Sequence, residues 1–296
     1  MSISVNAPTS TRAAIDFGIS NIDAVSLIDG TLHRWTRPSD GPPTAASVLA
    51  ILDAGGLVLS SLPHLAVTGG RHRALPTSIN NIALLGVNEV SAIGRGGQAL
   101  GLPADDDPQT PMLVVSAGSG TAVVAARGRK YAHITGSGVG GGTLQGLGRL
   151  LLNTTDAIAI DALAQQGDAN GADLSLRDVI SGPIGALPPD ATAVNFGRIA
   201  HAAHDASPAD LAAALMTLVG QVIAITAINA ARAERLERVV VIGHMTDMPS
   251  FRKVLDQVGD YYGMRLTLPA QAGFGTALGA MLHASDLSAV PAASAA

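Results

Sequence analysis

The sequence contains no cysteine and has few aromatic or charged residues. None of its 296 residues is Cys, 3% are aromatic and 14% are charged. The lack of Cys excludes disulfides, thiolate zinc sites, iron–sulfur clusters and cysteine nucleophiles. It is consistent with the reducing cytoplasm, where we expect the protein to work. The net charge of −5 argues against nucleic acid as a partner, since phosphate backbones require basic surfaces.

Long apolar runs are also absent. No stretch of 18 or more apolar residues is free of polar interruption, so the sequence predicts no membrane span. Residues 1–11 lack the charged region and apolar run of a secretory signal. The chain is instead rich in glycine, with 34 residues, and is 47% hydrophobic. This composition predicts a sizeable apolar core and many tight turns.

Short apolar runs alternate with helical patterns along the chain. Apolar segments at 13–15 and 24–28 flank a glycine turn, and the same strand, glycine turn and strand plan returns at 112–126. A long helix with a 3.6-residue apolar period is predicted over 211–237. Strands that alternate with helices indicate an α/β fold.

The repeated plan predicts two half-domains. We place the first at residues 12–111 and the second at 112–283, with the acidic loop 103–111 between them. The Ala/Ser-rich segment 284–296 has no periodicity and is interpreted as a disordered tail.

The two glycine turns have the composition of an anion site. Glycine lets backbone N–H groups converge without a Cβ in the way, and the Asp in the first turn suits Mg²⁺. Ordinary hairpin turns are the alternative, but two matched turns on repeated hairpins favour a shared phosphate clamp. The residues are Asp16, Gly18 and Ser20 in the first turn, and Gly118, Ser119, Gly120 and Thr121 in the second.

A third glycine segment leads directly into a predicted helix. It contains Gly140, Gly141, Gly142 and Thr143. This pattern suits close backbone approach to a ligand, with helix N–H groups at its end. A flexible turn that starts a helix is the alternative, and the segment gains weight because it follows the second glycine turn by about 20 residues.

Residues 135–151, TGSGVGGGTLQGLGRLL, resemble the signature of the type II pantothenate kinases, members of the actin-like ATPase and sugar-kinase superfamily. The resemblance runs in order along residues 13–283. Four further segments contribute to it: 67–71 together with Asn88 and Glu89, then 193–197, 241–243 and 272–280.

The resemblance implies an ATP- and Mg²⁺-dependent kinase that phosphorylates pantothenate, the first step of coenzyme A biosynthesis. It implies two ribonuclease H-like half-domains around an interdomain ATP cleft, and a homodimer joined through the second half. Glu89 falls on the position of the base that deprotonates the acceptor hydroxyl, and Gly243 lies in a nucleotide-binding element. Phosphoryl transfer depends mainly on positioning and charge stabilisation, so this machinery is sufficient.

The sequence departs from the family at several positions. Asp23 stands where the family has a Lys that reaches the ATP phosphates, and His133 stands where an Arg holds the acceptor and the transferring phosphoryl group. His244 follows Gly243 where small hydroxyl residues are usual. A carboxylate near a triphosphate requires a compensating cation. We expect Arg95, on the helix that begins at Glu89, to supply it.

The resemblance leaves three functions to compare. Pantothenate is the default substrate, with Ser119, His133 and Arg95 as acceptor contacts, and another small hydroxy acid is the first alternative because His133 alters the acceptor pocket. A nucleotide-binding pseudokinase or regulator is favoured by Asp23 and opposed by Glu89. Dehydratase activators of the same superfold need a Cys-ligated cluster, which the absence of Cys excludes.

Overall fold

The computed structural model describes residues 11–103, 106–107, 109–182, 185, 187–201 and 206–288. The strands in this part of the chain are β1 (Arg12–Phe17), β2 (Asn21–Ile28), β3 (Thr31–Pro38), β4 (His64–Thr68), β5 (Ser78–Ile79), β6 (Ile82–Gly86), β7 (Met112–Ala117), β8 (Thr121–Arg127), β9 (Lys130–Ser137), β10 (Leu174–Ser175), β11 (Thr192–Val194), β12 (Val239–Ile242) and β13 (Leu266–Thr267). The helices are α1 (Ala45–Ala54), α2 (Glu89–Gly101), α3 (Gly141–Leu152), α4 (Ala157–Ala164), α5 (Leu176–Val179), α6 (Gly197–His201), α7 (Pro208–Ala233), α8 (Pro249–Tyr262) and α9 (Gly275–Ser288).

The two large sheets repeat one topology. The first has the strand order β3-β2-β1-β4-β6-β5 and the second has the order β9-β8-β7-β12-β13. In the first sheet β1 pairs antiparallel with β2 and parallel with β4. Each sheet therefore starts from a three-strand meander whose first strand pairs with the strand that follows a helix. This confirms the α/β class and the duplicated plan.

The chain divides into two compact units that do not follow the predicted half-domain boundary. The first unit contains residues 11–114, Val124–His133 and 269–288. The second contains Val115–Val123 and Ile134–Leu268. The end of the chain belongs to the first unit because the apolar side of α9 packs on the same sheet face as Ala14, Val25 and Ala66.

The disordered tail predicted from residue 284 is wrong for its first five residues. Helix α9 continues to Ser288, and Ala284 is buried in the core of the first unit. The composition of this segment is low in complexity, but Ala284 has a high helix propensity and Asp286 forms an ion pair with Arg95 of α2 at 2.8 Å. Residues 289–296 lie outside the described residues.

Glycines allow α2 and α9 to approach closely within the first unit. A methyl group at Gly96 would lie 1.9 Å from the carbonyl oxygen of Gly275, and one at Gly279 would lie 1.9 Å from that of Ala92. The two helices therefore pack backbone to backbone, and this contact fixes the helix that begins at Glu89.

Helix α7 is the central helix of the second unit and covers Pro208–Ala233 rather than 211–237. Its length and composition alone would suit a membrane span, but 61% of its most apolar window is buried inside the protein. The buried side carries both small residues, such as Ala212 and Ala227, and large ones, such as Leu215, Met216 and Ile223. Four of the six apolar residues that defined the predicted stripe are only half-buried: Leu211, Leu218, Val222 and Ile225.

Candidate functional site

The first unit brings the carboxylate of Asp16 against a glycine turn. Asp16 lies near the end of β1, and Gly69 follows β4, the parallel neighbour of β1. Gly69 has φ +92°, and a methyl group there would lie 2.6 Å from Asp16 Oδ1 and 2.5 Å from the carbonyl oxygen of Phe17. Glycine is therefore required at this position both by backbone conformation and by space.

The same turn also lies beside Glu89, the predicted base. Glu89 is the first residue of α2, and the side chain of Asn88 caps the helix by accepting a hydrogen bond from Val90 N–H at 2.9 Å. A methyl group at Gly70 would lie 3.9 Å from Glu89 Oε2. Glu89 is exposed, so its carboxylate is accessible to a ligand. Asp16 and Glu89 thus lie against successive glycines of one turn.

His72 holds this turn in place, although no motif in the sequence identifies it. Its Nδ1 lies 2.7 Å from the carbonyl oxygen of Gly69, which also accepts the backbone N–H of His72 at 3.2 Å. A methyl group at Gly86 would lie 3.3 Å from His72 Nε2. The only signal in the sequence is a His three residues after the Thr-Gly-Gly strand end, and that spacing is common in turns.

Asp23 lies directly across the sheet from Asp16. The two residues are paired in the antiparallel register of β1 and β2, so both side chains lie on the same face. Asp23 is only 7% exposed. Thr68 is paired with Asp16 on the other side and donates its hydroxyl to the carbonyl oxygen of Val87 at 2.9 Å. The Lys-to-Asp departure therefore places a second carboxylate beside the first.

The first glycine turn is tight and open to solvent. A methyl group at Gly18 would lie 2.6 Å from the carbonyl oxygen of Asn21, so the backbone folds back on itself. Ile19 is 67% exposed at the tip, and the carbonyl oxygen of Ser20 accepts Ser39 N–H at 2.9 Å. An exposed apolar tip beside Gly18 and Ser20 leaves this turn accessible to a ligand.

Arg95 forms an ion pair with a carboxylate of α9 in the first unit. Its Nε lies 2.8 Å from Asp286 Oδ2, and both side chains are about one-fifth exposed. Arg129 shares the same carboxylate oxygen at 3.3 Å. The structure therefore does not support Arg95 as the cation that replaces the family's Lys: α9 supplies its partner. His133 lies on β9, exposed, and the structure does not join it to the Asp16–Glu89 turn.

In the second unit two glycine segments are joined by their backbones. Gly141 N–H donates to the carbonyl oxygen of Gly118 at 2.8 Å, and Gly142 N–H donates to that of Ser119 at 2.9 Å. A methyl group at Gly140 would lie 2.8 Å from both of those oxygens. The turn after β7 and the start of α3 thus form one continuous backbone surface that tolerates no side chain at residue 140.

These hydrogen bonds bear on the prediction that the N–H groups at the start of α3 bind a ligand. The first two N–H groups of α3 are already paired with carbonyl oxygens, so they do not form an open anion site in this conformation. Thr121 and Thr143 are also engaged: their hydroxyls donate to the carbonyl oxygens of Val139 at 2.7 Å and Gly138 at 3.1 Å. The glycines leave this part of the backbone free of side chains, and the hydroxyls of the two threonines hold the loop at residues 138–139 in position.

Gly243 adds a third segment to this surface. It follows β12 with φ +104°, and a methyl group there would lie 2.4 Å from the carbonyl oxygen of Ala117. The next residues form a turn in which His244 Nδ1 lies 2.8 Å from Asp247 Oδ2. The structure therefore brings together the second glycine turn, the third glycine segment and Gly243, all within the second unit.

Sequence comparisons identify relatives of one family. The Fumble family profile matches residues 97–283. The chain is 30% identical over 188 residues to the type II pantothenate kinase of Oceanobacillus iheyensis, an alignment that covers 64% of this chain and 67% of that protein. It is 34% identical over 137 residues to the type II pantothenate kinase of Staphylococcus aureus strain USA300, covering 46% of this chain and 51%, about half, of that relative.

Structural comparisons define the fold. The activator of 2-hydroxyisocaproyl-CoA dehydratase from Clostridium difficile, solved with bound ADPNP, matches with a TM-score of 0.63 at 15% identity, over 96% of this chain and 100% of that one. A ROK family glucokinase from Streptomyces griseus matches with a TM-score of 0.55 at 13% identity, over 92% and 98%. At such identities the likeness concerns the fold, which is that of the actin-like ATPases and sugar kinases. With the profile covering more than half of its length, the chain belongs to the Fumble family, the family of the type II pantothenate kinases.

Proposed function

We propose that this protein is an ATP-dependent kinase that phosphorylates the primary hydroxyl of pantothenate. The observation that carries the proposal is the turn at residues 69–70, which holds Asp16 on one side and Glu89 on the other. An exposed carboxylate beside a second carboxylate suits a base next to a site for phosphate-bound metal. The family relationship supplies the substrate and the nucleotide.

Glu89 is the base in this proposal. Its carboxylate accepts the proton of the acceptor hydroxyl while the hydroxyl oxygen forms a bond to the γ-phosphorus, and the bond from that phosphorus to the β–γ bridging oxygen breaks to release ADP. Because Asn88 caps α2 through its side chain, the backbone at Glu89 has a defined start, which limits the positions available to the carboxylate. The N-terminal end of the helix carries a partial positive charge that attracts an anionic ligand such as a phosphate group to this position.

Asp16 fits a Mg²⁺ ligand. Hard divalent cations prefer carboxylate oxygens, and the absence of a side chain at Gly69 spares Asp16 Oδ1 the clash that a Cβ would make. Mg²⁺ bound to ATP would neutralise part of the phosphate charge. Asp23, across the sheet from Asp16, adds negative charge that repels the ATP phosphates unless a cation offsets it.

The glycine surface of the second unit is proposed to bind the nucleotide. Gly118, Gly140 and Gly243 each tolerate close backbone approach, and their segments are tied to one another. Ser119 and Thr143 lie on the same surface. A surface without Cβ atoms allows phosphate or ribose oxygens to approach backbone groups, which agrees with an adenine nucleotide as the phosphoryl donor.

We further propose that the kinase is a homodimer in the cytoplasm. The half-buried apolar stripe of α7, formed by Leu211, Leu218, Val222 and Ile225, is a surface that a second copy would cover, and the family resemblance implies pairing through this half of the chain. Light scattering after size exclusion tests the oligomeric state, and a monomer at micromolar concentration would contradict the proposal.

The substrate is tested by ADP release with Mg-ATP and one acceptor at a time. The panel contains pantothenate, pantetheine and short hydroxy acids, with a no-acceptor control for ATP hydrolysis. We expect the highest kcat/KM with pantothenate. A clear preference for another hydroxy acid would reassign the acceptor, and ATP binding without transfer to any acceptor would contradict a kinase and support a nucleotide-binding regulator.

A further inference from the structure

The second unit contains a cavity of about 530 Å³ that the proposed kinase site does not use. It lies between α7, α8, the segment after α4 and the segment that leads into β11. None of the glycine, serine or threonine residues assigned above to phosphate or nucleotide lines it. Cavities of this size are typical of sites for small molecules.

The two helices present polar side chains to this cavity at helical spacing. Lys253, Gln257 and Tyr261 of α8 line it at intervals of four residues, and Thr217 and Gln221 of α7 line it at the same interval. Residues four apart lie on one face of a helix. Helices α7 and α8 pack against each other through apolar residues elsewhere, and their rows of polar side chains both face the cavity.

A buried polar network forms one wall, and it gives a structural role to the motif at 193–197. Asp173 is fully buried and accepts the backbone N–H of Phe196 at 2.7 Å and the hydroxyl of Thr192 at 3.1 Å. Asn195 Nδ2 lies 3.4 Å from both Asp173 Oδ2 and Gln221 Oε1. The network thus connects the motif to Gln221 and Thr192, which line the cavity. Burial also raises the pKa of Asp173.

Two polar groups on residues that line the cavity have no hydrogen-bond or ion-pair partner within the described part of the chain. The ammonium of Lys253 makes no hydrogen bond or ion pair with a described residue. Asn170 Oδ1 is buried without a hydrogen-bond partner, while its Nδ2 donates to the carbonyl oxygen of Asp190 at 3.2 Å. This oxygen is enclosed by protein atoms, so it is not among the groups that contact a ligand in the cavity.

The charged residues that line the cavity indicate which class of ligand it binds. Lys253 is its one basic residue, and Asp168 and Asp190 are its two acidic ones. This balance disfavours a phosphorylated ligand, which would bring several negative charges against a net negative lining. It suits a molecule with one carboxylate for Lys253 and one ammonium group for Asp168 and Asp190.

We propose that this cavity binds a small zwitterion of the amino-acid or dipeptide class. The site is independent of the kinase reaction, so its test does not depend on turnover. The polar rows of α7 and α8 provide hydrogen bonds along the ligand, and Tyr261 stays a neutral donor because burial and then Asp190 raise its pKa.

The lysine content of the chain makes the test direct, because Lys130 and Lys253 are its two lysines. Reductive methylation with ¹³C-formaldehyde labels both side chains and the N-terminal amine and keeps their positive charge. The Lys253→Arg and Lys130→Arg variants assign the two lysine signals. L-Glutamine, L-serine and glycylglycine are then titrated as zwitterionic probes, with acetate and ethylamine as singly charged controls.

We expect at least one zwitterion to shift the Lys253 signal in a saturable way and to leave the Lys130 signal, which belongs to the first unit, unchanged. Asp190→Asn, a change at an exposed position, should weaken binding about tenfold, the usual effect of losing one charged hydrogen bond. Pantothenate kinase activity should be the same in wild type and Asp190→Asn. The proposal is overturned if no probe gives a saturable shift at millimolar concentration, if acetate or ethylamine acts equally well, or if both lysines respond alike.

Discussion

The carboxylate of Asp16 and the α-carbon of Gly69 are in such close contact that a methyl group on Gly69 would lie 2.6 Å from Asp16 Oδ1. This contact joins the end of β1 to the turn after β4, and Gly70 carries the same turn on to Glu89. The two carboxylates that the proposed reaction needs are therefore positioned by a pair of glycines, with His72 holding the carbonyl oxygen of Gly69.

Gly69→Ala should damage the kinase through Asp16. The new Cβ would collide with Asp16 Oδ1 and the Phe17 carbonyl oxygen, and alanine is disfavoured at φ +92°. We expect kcat with Mg-ATP to fall by more than tenfold and the Mg²⁺ concentration for half-maximal activity to rise. Gly70→Ala is the matched control, since its nearest contact would be an ordinary 3.9 Å; equal effects of the two changes would show that the Asp16 contact is not the cause.

Glu89→Gln should lower turnover by ~10²–10⁴-fold, the usual contribution of a positioned general base. The amide keeps the size of the side chain but cannot take a proton from the acceptor hydroxyl. Binding of Mg-ATP by calorimetry should be unchanged, because the base serves the acceptor. A Glu89→Gln enzyme with wild-type kcat would show that another group takes the proton.

Arg95→Ala should act on stability rather than on ATP. Because Arg95 is paired with Asp286 at 2.8 Å, its removal leaves a partly buried carboxylate with the more exposed Arg129. We expect Tm to fall for Arg95→Ala and for Asp286→Ala, with less than additive loss in the double variant. Arg129→Ala, at a side chain that is 63% exposed, is the control and should have little effect. A tenfold or larger loss of Mg-ATP affinity in Arg95→Ala alone would restore the role first expected from the sequence.

Asp23→Lys should leave Mg-ATP binding equal or tighter. The new ammonium would lie across the sheet from Asp16, where the register places residue 23, and it would replace a repulsive charge by an attractive one. Because Asp23 is buried, the free energy of unfolding should fall. Asp53→Lys makes the same charge change at an exposed position. If Asp23→Lys weakens Mg-ATP binding while Asp53→Lys does not, Asp23 is itself part of the metal site.

Acidification should destabilise the fold partly through His283. Burial, and to a smaller extent Arg95 and Arg129, lower the pKa of His283 below its ordinary 6.5, and Asp286 opposes this shift. The unfolded chain then binds a proton that the folded chain binds less readily, so stability is present above pH 6.5 and is lost as the pH falls through and below that value.

His283→Phe tests this because it keeps a ring against Tyr131, whose centroid lies 5.9 Å away. The fall in Tm from neutral to mildly acidic pH should become smaller in this variant. His33→Phe, at an exposed position of β3, should leave the pH dependence as in wild type. Part of the wild-type dependence should remain in both, since burial also lowers the pKa of His64. An unchanged fall in Tm in His283→Phe would contradict the assignment.

Local patterns in the sequence were sufficient to predict part of the fold. The apolar runs at 13–15, 24–28 and 112–115 and the glycines between strands predicted both hairpins, and the helix expected from Glu89 is α2. These signals are local, because strand alternation, turn glycines and helix caps depend on residues close in the chain. The family signature at 135–151 added the kinase hypothesis.

The tertiary structure alone decided which groups meet. The register of β1 and β2 placed Asp23 beside Asp16, and the return of α9 to the first unit gave Arg95 its partner. Helix α7 buries a side that only partly coincides with its predicted apolar stripe. The first N–H groups of α3 likewise donate to carbonyl oxygens of the turn at Gly118. Each of these depends on contacts between residues far apart in the chain, whose geometry no local pattern encodes.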